Sequence, residues 1–386
     1  MTWRVIDDIV MTRRVVTGTL AAPGRSCAMT DVWILGGTGR SARAIAAELQ
    51  NQGIRPVLVG RDAGRLAAAA NGLPTVVAGS VDETADAIRR ERPAVVVNTI
   101  GPFTDTATPL LDACLPSSDY LDLANDLAAV SATLDRGDAF AAAGRTAVTG
   151  AGFGVTATES IVVKLCDGRP IPRRVRVDMV PSLIVEAGVV GDALAGTLVE
   201  GLPGVEGGRR FQGRRYRDGR LVPDKLAGDP IRLVLPDGST VTTASMPLGE
   251  LMAAQRASGA ADVVAASSEA PASPVVRAIL PAATALLNIG PVRAFARRRL
   301  AAVRFKATPK PREHSWGHAV IEWADGSTRE GWLRVGEAQA WTGAVPAEIV
   351  RRLLGGQSKP GAYTPAALFG PNLAESCGGE YQILET

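Results

Sequence analysis

Histidine is nearly missing from this chain. Its 386 residues hold two, His314 and His318, so a histidine-rich metal site cannot be assembled and no metal is expected. Cysteine is scarce as well. Cys27, Cys114, Cys166 and Cys377 form no C-x-x-C pair, which leaves no zinc finger and reads as the reduced thiols of a cytoplasmic protein. Aromatic residues make up 4% and form no RNA-binding stripe, while the formal charge of +3 is too small an excess to imply a polyanionic partner. No nucleic acid is therefore expected. Nor do residues 1–28 contain an apolar core of export-signal length, because Arg4, Asp7, Asp8, Arg13 and Arg14 interrupt them. They read as a disordered extension or as a start codon assigned too early, with Met29 just ahead of the first predicted strand.

What is present describes a globular protein. Hydrophobic residues at 46%, charged ones at 21% and a length of 386 suit two domains with a sizeable core. The alanine-rich helices fit a GC-rich bacterial genome. The stretch with most to say is Asp31 to Arg43, DVWILGGTGRSAR. Four apolar residues from Val32 to Leu35 predict a strand covered on both faces. The turn Gly36-Gly37-Thr38-Gly39 follows, and Arg40 to Gln50 has helical period, with Ala42, Ile45, Ala46 and Leu49 on one side. Strand, glycine turn and helix is the context of a dinucleotide site. Glycines let the backbone approach a pyrophosphate, and the free N–H groups of the first helical turn receive its charge. An ordinary tight turn has the same lettering, so the second strand matters. Ile54 to Val59 ends in Gly60-Arg61-Asp62, where an NAD site usually places an acid for the ribose. Arg61, with Arg40 and Arg65 near it, favours a 2′-phosphate and hence NADP(H), and Asp62 is better placed to cap the next helix.

The alternation continues. Short strands at Thr75 to Val77, Ala94 to Val97, Tyr120 to Leu123 and Thr146 to Thr149 are separated by helical segments, which predicts a Rossmann-type parallel sheet. The ends of these strands line the ligand crevice in such sheets, so Asn98, Gly101 and Pro102 are assigned to the nicotinamide side. Thr156 with Glu159 three residues later has the spacing of a capping box. After Gly168 the period changes to two, and Asp237-Gly238 and Asp325-Gly326 signal hairpins, one of them joining His318–Trp323 to Thr328–Val335. A helix is expected at Asp192 to Glu200. The arginines 209, 210, 214, 215 and 217 read as an exposed loop or as a carboxylate site.

Residues 275–304 are apolar and then basic, with Pro281, Pro291 and the cluster Arg297-Arg298-Arg299 breaking any transmembrane reading. Two uses stay open. One is a helix pair over a cleft or homodimer contact; the other is a surface for a carrier protein or an anionic membrane. The expected organisation is an extension at 1–28, an NADP-binding domain at 29–165, an inserted α+β substrate domain at 166–344, and a segment at 345–386 whose helices return to the first domain.

The motifs ILGGTGRSA, VLVGRD, VVVNTIGPF, DYLDLAND, TGAGFGVTATE and GAYTPAALFG together resemble the saccharopine dehydrogenase-like NAD(P)-binding family. The resemblance is strong over about 31–165, weaker over 340–373 and faint between. It implies a Rossmann domain with an inserted α+β domain and reduction or oxidation of C=N, C=O or, as in relatives resembling trans-acting enoyl reductases, C=C bonds. It matches Gly36, Gly39, Arg40 and Ser41 to the pyrophosphate loop, Arg61 to the 2′-phosphate site, and Asp122 to the acid after the family's Tyr-x-Asp strand. Where relatives carry a small residue, Gly and Glu next, this chain has Ala124, Asn125 and Asp126.

Hydride chemistry asks the protein for orientation and a proton donor. The candidates are Tyr120, Asp122, Tyr363 and His318. Tyr120 and Asp122, two apart in a strand, share a face. The Y-x-x-x-K arrangement of short-chain reductases is missing, since Ala124 and Ala367 stand where it needs lysine. A small metabolite, lipophilic or carrier-linked, is the expected substrate. A protein that holds NADP as a sensor or structural ligand, or a peripheral membrane module, are the alternatives.

Overall fold

A computed structural model describes residues 32–184, 188–189, 195–196, 199–271, 273–307 and 309–384. The expected extension at 1–28 and most of the helix expected at Asp192 to Glu200 lie outside the described residues.

The first sheet is built as the apolar runs require. Strands β1 (Val32–Leu35), β2 (Val57–Gly60), β3 (Thr75–Val77), β4 (Val95–Asn98), β5 (Asp119–Asp122) and β6 (Thr146–Val148) alternate with α1 (Arg40–Asn51), α2 (Ala63–Ala70), α3 (Val81–Glu91), α4 (Phe103–Cys114), α5 (Leu127–Leu134), α6 (Gly137–Ala142) and α7 (Phe153–Cys166). Successive side chains leave a strand on opposite faces. Val32, Ile34 and Leu58 therefore pack into one core cluster, and Trp33, Leu35 and Val59 into another on the far side. All strands pair in parallel, in the order β17-β6-β5-β4-β1-β2-β3, β17 being Gly361–Tyr363. Chain direction across the sheet reverses between β1 and β4, which is where a doubly wound sheet opens its crevice.

The second sheet has nine strands. Those are β7 (Arg174–Val180), β9 (Gly213–Arg217), β10 (Arg220–Asp224), β11 (Ile231–Val234), β12 (Thr240–Ser245), β13 (Asp262–Ser267), β15 (Ser315–Glu322), β16 (Thr328–Val335) and β18 (Glu380–Leu384), while β8 (Gly188–Val189) pairs with β14 (Arg304–Phe305) apart from it. Both expected hairpins form, β11 with β12 and β15 with β16. The architecture is α/β, a Rossmann-type parallel sheet joined to a mixed sheet with helices beside it.

Helix α7 lies between the two sheets, against β7, β15 and β16, and α8 (Gly249–Ser258) packs along it. Eleven of its fourteen residues are buried, the mark of a helix with no solvent face. Ile161, Val162 and Leu165 each contribute about 1.5–3 kcal/mol by that burial. The capping box expected from Thr156 and Glu159 is not formed. Helix α7 starts earlier, at Phe153, and Glu159 instead accepts the N–H groups of Ala366 and Ala367 at 2.9 and 3.0 Å and the Thr364 hydroxyl.

Beyond α9 (Pro274–Leu287) and α10 (Gly290–Ala301), the chain forms α11 (Ala338–Leu354), α12 (Pro365–Phe369) and α13 (Asn372–Ser376). The C-terminal segment does not return wholly to the first domain. Helix α11 packs on α1 and β17 joins the first sheet, but β18 pairs with β16 in the second.

Candidate active site

The site is best built from how each helix of the first sheet begins. An α-helix leaves its first N–H groups without partners, and a side chain usually covers some of them. Asp62 does so for α2, Ser80 for α3 and Asp126 for α5. Helices α1, α4, α6 and α7 have no such cap from the residue that precedes them, Gly39, Pro102, Arg136 and Gly152. Three of these uncapped ends, those of α1, α4 and α7, meet. Arg40 and Ser41 of α1, Gly101 and Phe103 at α4, and Gly152 to Val155 at α7 line one cleft of about 430 Å³ with Thr99, Leu123, Ala124, Asn125, Gly150 and Thr342.

The glycine turn is shaped for this. Gly36 has φ +78°, and a Cβ on it would lie 2.8 Å from the Thr99 hydroxyl, so another residue would be strained and crowded there. Gly37 fits against Leu58 and Leu66, which lets α1 approach the sheet. Gly39 donates to the Gly36 carbonyl at 2.7 Å, and the first helical bond of α1 is Arg43 N–H to Gly39. Thr38 is half-buried beside the turn. Helix α1 has no acid in its first turn, so its uncovered N–H groups face no competing negative charge. Ser41 also accepts a hydrogen bond from Gln339 of α11 at 3.0 Å. Arg61 is exposed at the end of β2, and neither it nor Arg40 makes an ion pair among the described residues. Asp62 accepts from Arg65 N–H at 2.9 Å and so is engaged as a cap.

Asn98 does not contact the cleft. It is wholly buried, donating to the Tyr120 hydroxyl at 3.0 Å and accepting from Ile100 N–H at 3.0 Å, which fixes the loop that carries Gly101 and Pro102. The reason is strand alternation, which turns Asn98 and Tyr120 toward the α4 side of the sheet.

None of the four expected proton donors lines the cleft. Tyr120 is fully buried, and burial raises its phenol well above the usual value. Asp122 shares its face, as expected, but is also buried. Its Oδ1 accepts from Ala124 N–H at 3.0 Å, Thr149 at 2.8 Å and Gly150 N–H at 3.1 Å, tying together two loops that line the cleft. Burial pushes its carboxyl up to about 6 against those bonds, with the Tyr120 hydroxyl pulling the other way. Tyr363 stands on the edge strand and donates to the Pro360 carbonyl at 2.9 Å. His318 belongs to the second sheet, between Asp178 at 3.0 Å and Glu330 at 3.1 Å, stacked 4.0 Å from the Trp332 ring. Its burial works to lower its pKa, but the two carboxylates win and raise it. The arginine run is likewise spent in structure. Arg214 is buried among five carbonyl contacts with Val205, Glu206, Arg209, Gln212 and Gly213, and Arg215 pairs with Asp224.

Two contributors escaped the sequence reading. Thr342 of α11 accepts the Phe153 N–H at 3.1 Å, covering one of the open N–H groups of α7. Glu250 of α8 is 1% exposed and sits directly behind the cleft wall. A Cβ on Gly154 would lie 2.1 Å from its Oε1, so only glycine at 154 leaves room for the carboxyl. With the Asn125 amide turned to donate, its nitrogen lies 3.0 and 2.8 Å from the two carboxyl oxygens. Burial raises Glu250 to about 7, opposed in part by hydrogen bonds. The loop holding Asn125 is itself bound to α8 through Gly249 N–H at 2.9 Å. An acid between Leu248-Gly249 and Leu251-Met252 was the one available signal.

No family model matches this chain, and no curated protein sequence does. Solved structures do. An apo saccharopine dehydrogenase (L-Glu forming) from Saccharomyces cerevisiae superposes with a TM-score of 0.56 at 14% identity, over 92% of this chain and 99% of that one. A probable dehydrogenase from Thermotoga maritima (TM-score 0.41, 9% identity, 89% and 94% covered) and GenD2 from gentamicin A biosynthesis, solved with NAD (0.38, 12%, 92% and 96%), are more distant. The chain thus has the saccharopine dehydrogenase-like fold.

Proposed function

We propose that the chain is an NADP(H)-dependent oxidoreductase acting on a C=O, C=N or activated C=C bond of a small metabolite. One observation carries this reading: three helices that lack a cap from the residue before them open onto a single cleft at the switch point of a doubly wound sheet. Such a cleft suits a dinucleotide, whose pyrophosphate is held by helix N-terminal N–H groups. The α1 turn from Gly36 to Ser41 would hold the pyrophosphate, Arg61 with Arg40 the 2′-phosphate, and Gly101-Pro102 the nicotinamide side. The cofactor, when bound, supplies hydride transfer at its nicotinamide ring. The chain's own part is then to orient the substrate and manage a proton. Asn125 reaches the cleft, and Glu250 behind it holds a proton near neutral pH, so the pair is positioned to stabilise charge that develops there.

A second reading, NADP bound without turnover, is favoured by the cleft lining itself. Among the described residues it contains no Tyr, Lys, His, Asp or Glu.

Titration with NADPH and NADH, read by nicotinamide fluorescence, tests the first step. The expected outcome is tight NADPH binding that falls about tenfold in Arg61→Ala, a loss of about 1.4 kcal/mol, with NADH little changed. No binding of either nucleotide would overturn both readings. Binding without oxidation of NADPH by any of a panel of ketones, imines and enoyl thioesters would leave the second.

A further inference from the structure

Helices α9 and α10 stand out from everything else described. Neither contains a buried residue, and they meet at an angle of 116°. Yet they are not polar. Val275, Val276, Ile279 and Leu286 of α9, and Phe295 of α10, are between 46% and 67% exposed. At 100° per residue, Val275, Ile279 and Leu286 fall on one stripe of α9, while Leu280 turns inward to pack near Ala270 and Ala244. On α10 the inward side carries Arg293, which pairs with Glu200 at 3.7 Å, and the outward side carries Phe295, Arg298 and Arg299.

Charge follows the same division. From Ala270 to Arg312 the sequence has nine basic residues and no acid, in a protein whose net charge is only +3. An exposed apolar stripe bordered by arginines has two complements in one place, acyl chains and lipid phosphates. An acidic protein partner would match the charge but not the apolar stripe beside it.

We infer that α9 and α10 form a docking ridge for an anionic lipid bilayer. They lie on it and do not cross it. At 1.5 Å per residue, helices of 14 and 12 residues reach about 21 and 18 Å, short of the roughly 30 Å hydrocarbon core. Arg298 and Arg299 border the apolar stripe at the depth of the headgroups, with Arg299 5.7 Å over the Phe295 ring. The ridge also comes near the loop at the cleft rim: Arg297 and Pro102, which stands between the cleft-lining Gly101 and Phe103, both lie against Gly196, 3.3 and 3.4 Å from where its Cβ would be. On the proposed function, a docked molecule would hold the Gly101-Pro102 loop close to the lipid, where a lipophilic substrate would be found.

The test is flotation of the full chain with vesicles of phosphatidylcholine alone or with one-third phosphatidylglycerol. The anionic vesicles should carry the protein, the neutral ones should not, and Ile279→Glu/Phe295→Glu should lower partitioning at least tenfold. Nucleotide binding by that variant reports its fold independently of the ridge. Phe295→Trp adds a second reading, a blue shift with anionic vesicles and quenching by brominated acyl chains. Protein that stays with the buffer, or a variant that floats as well as the parent, overturns the inference. So does a Phe295→Trp blue shift that appears without vesicles and grows with protein concentration, which would mark a second copy as the occupant.

Discussion

Asp178 and Glu250 are both carboxylates at the interior of the molecule, 0% and 1% exposed, and their surroundings are opposite. Asp178 on β7 meets cations. Arg176 grips it at 2.9 Å and His318 at 3.0 Å, while Thr243 donates at 2.6 Å, so although burial works to raise its pKa, its partners hold it below the usual value. Glu250 on α8 meets no cation: burial raises its pKa to about 7, opposed by hydrogen bonds from its backbone N–H and the neutral Asn125 amide and helped by another acid, Glu269, in its field. Compensation of charge is what a structure needs from a buried acid. Its omission beside a cleft leaves a group that exchanges a proton near neutral pH, which is what a reaction needs.

The sharpest way to test that division is to remove the compensated acid. Asp178→Ala leaves Arg176 and His318 facing each other inside the second sheet, and loss of a buried pair's partner costs about 3–5 kcal/mol. Urea denaturation should show that loss, with NADPH affinity of the folded fraction unchanged. The pH dependence has a sign. The raised His318 contributes stability that is lost as pH climbs above the ordinary histidine value of 6.5, and the lowered Asp178 contributes stability lost as pH falls below 3.8. The network is therefore worth most between those two values, and Asp178→Ala should flatten the stability profile at both ends of that window.

Glu250→Gln addresses the other side. The shape is kept and the proton is lost. If the Asn125–Glu250 pair acts in turnover, kcat should fall about tenfold and the limb of its pH profile near 7 should vanish, with the KM for NADPH nearly unchanged. Stability should move the opposite way from the Asp178 case. A folded-state pKa above 4.5 means the native state binds more protons than the unfolded one, so the parent loses stability as pH rises from 4.5 to about 7, and the Gln variant loses less. An unaltered pH–rate profile would place Glu250 among the structural acids.

How much of this could be read along the chain depended on range. The first sheet was legible because strands buried on both faces appear as apolar runs, and because glycine turns and the Asp62 cap are local. The cleft walls from Arg40, Ser41 and Gly101 followed from the same local signals. His318 was misplaced because a histidine opening a strand looks the same whether its neighbours are a substrate or Asp178, 140 residues away. Tyr120 and Asp122 were rightly put on one face, but pattern alone does not say which face is sealed by a helix. Thr342 and Glu250 reach the site from helices of the C-terminal half and the second domain, through packing that no spacing in the sequence encodes.

Glu159 is the residue that could break the comparison. Like Glu250 it is 0% or nearly exposed, has neutral hydrogen-bond partners and is raised by burial to about 7. Unlike Glu250 it does not adjoin the cleft, because its bonds run to Thr364, Ala366 and Ala367, 205 to 208 residues along the chain, where it covers the open N–H groups of α12. A carboxylate accepting several N–H groups acts as a helix cap, and the amide that replaces it accepts with one oxygen only. Glu159→Gln should therefore cost about 1 kcal/mol of stability, the usual worth of a cap, measured by the same urea titration. Its kcat and pH–rate profile should match the parent. A raised pKa would then mark function only where the acid also stands against the cleft wall, and a Glu159→Gln profile that shifted as Glu250→Gln does would show that proximity to the cleft is not what separates the two.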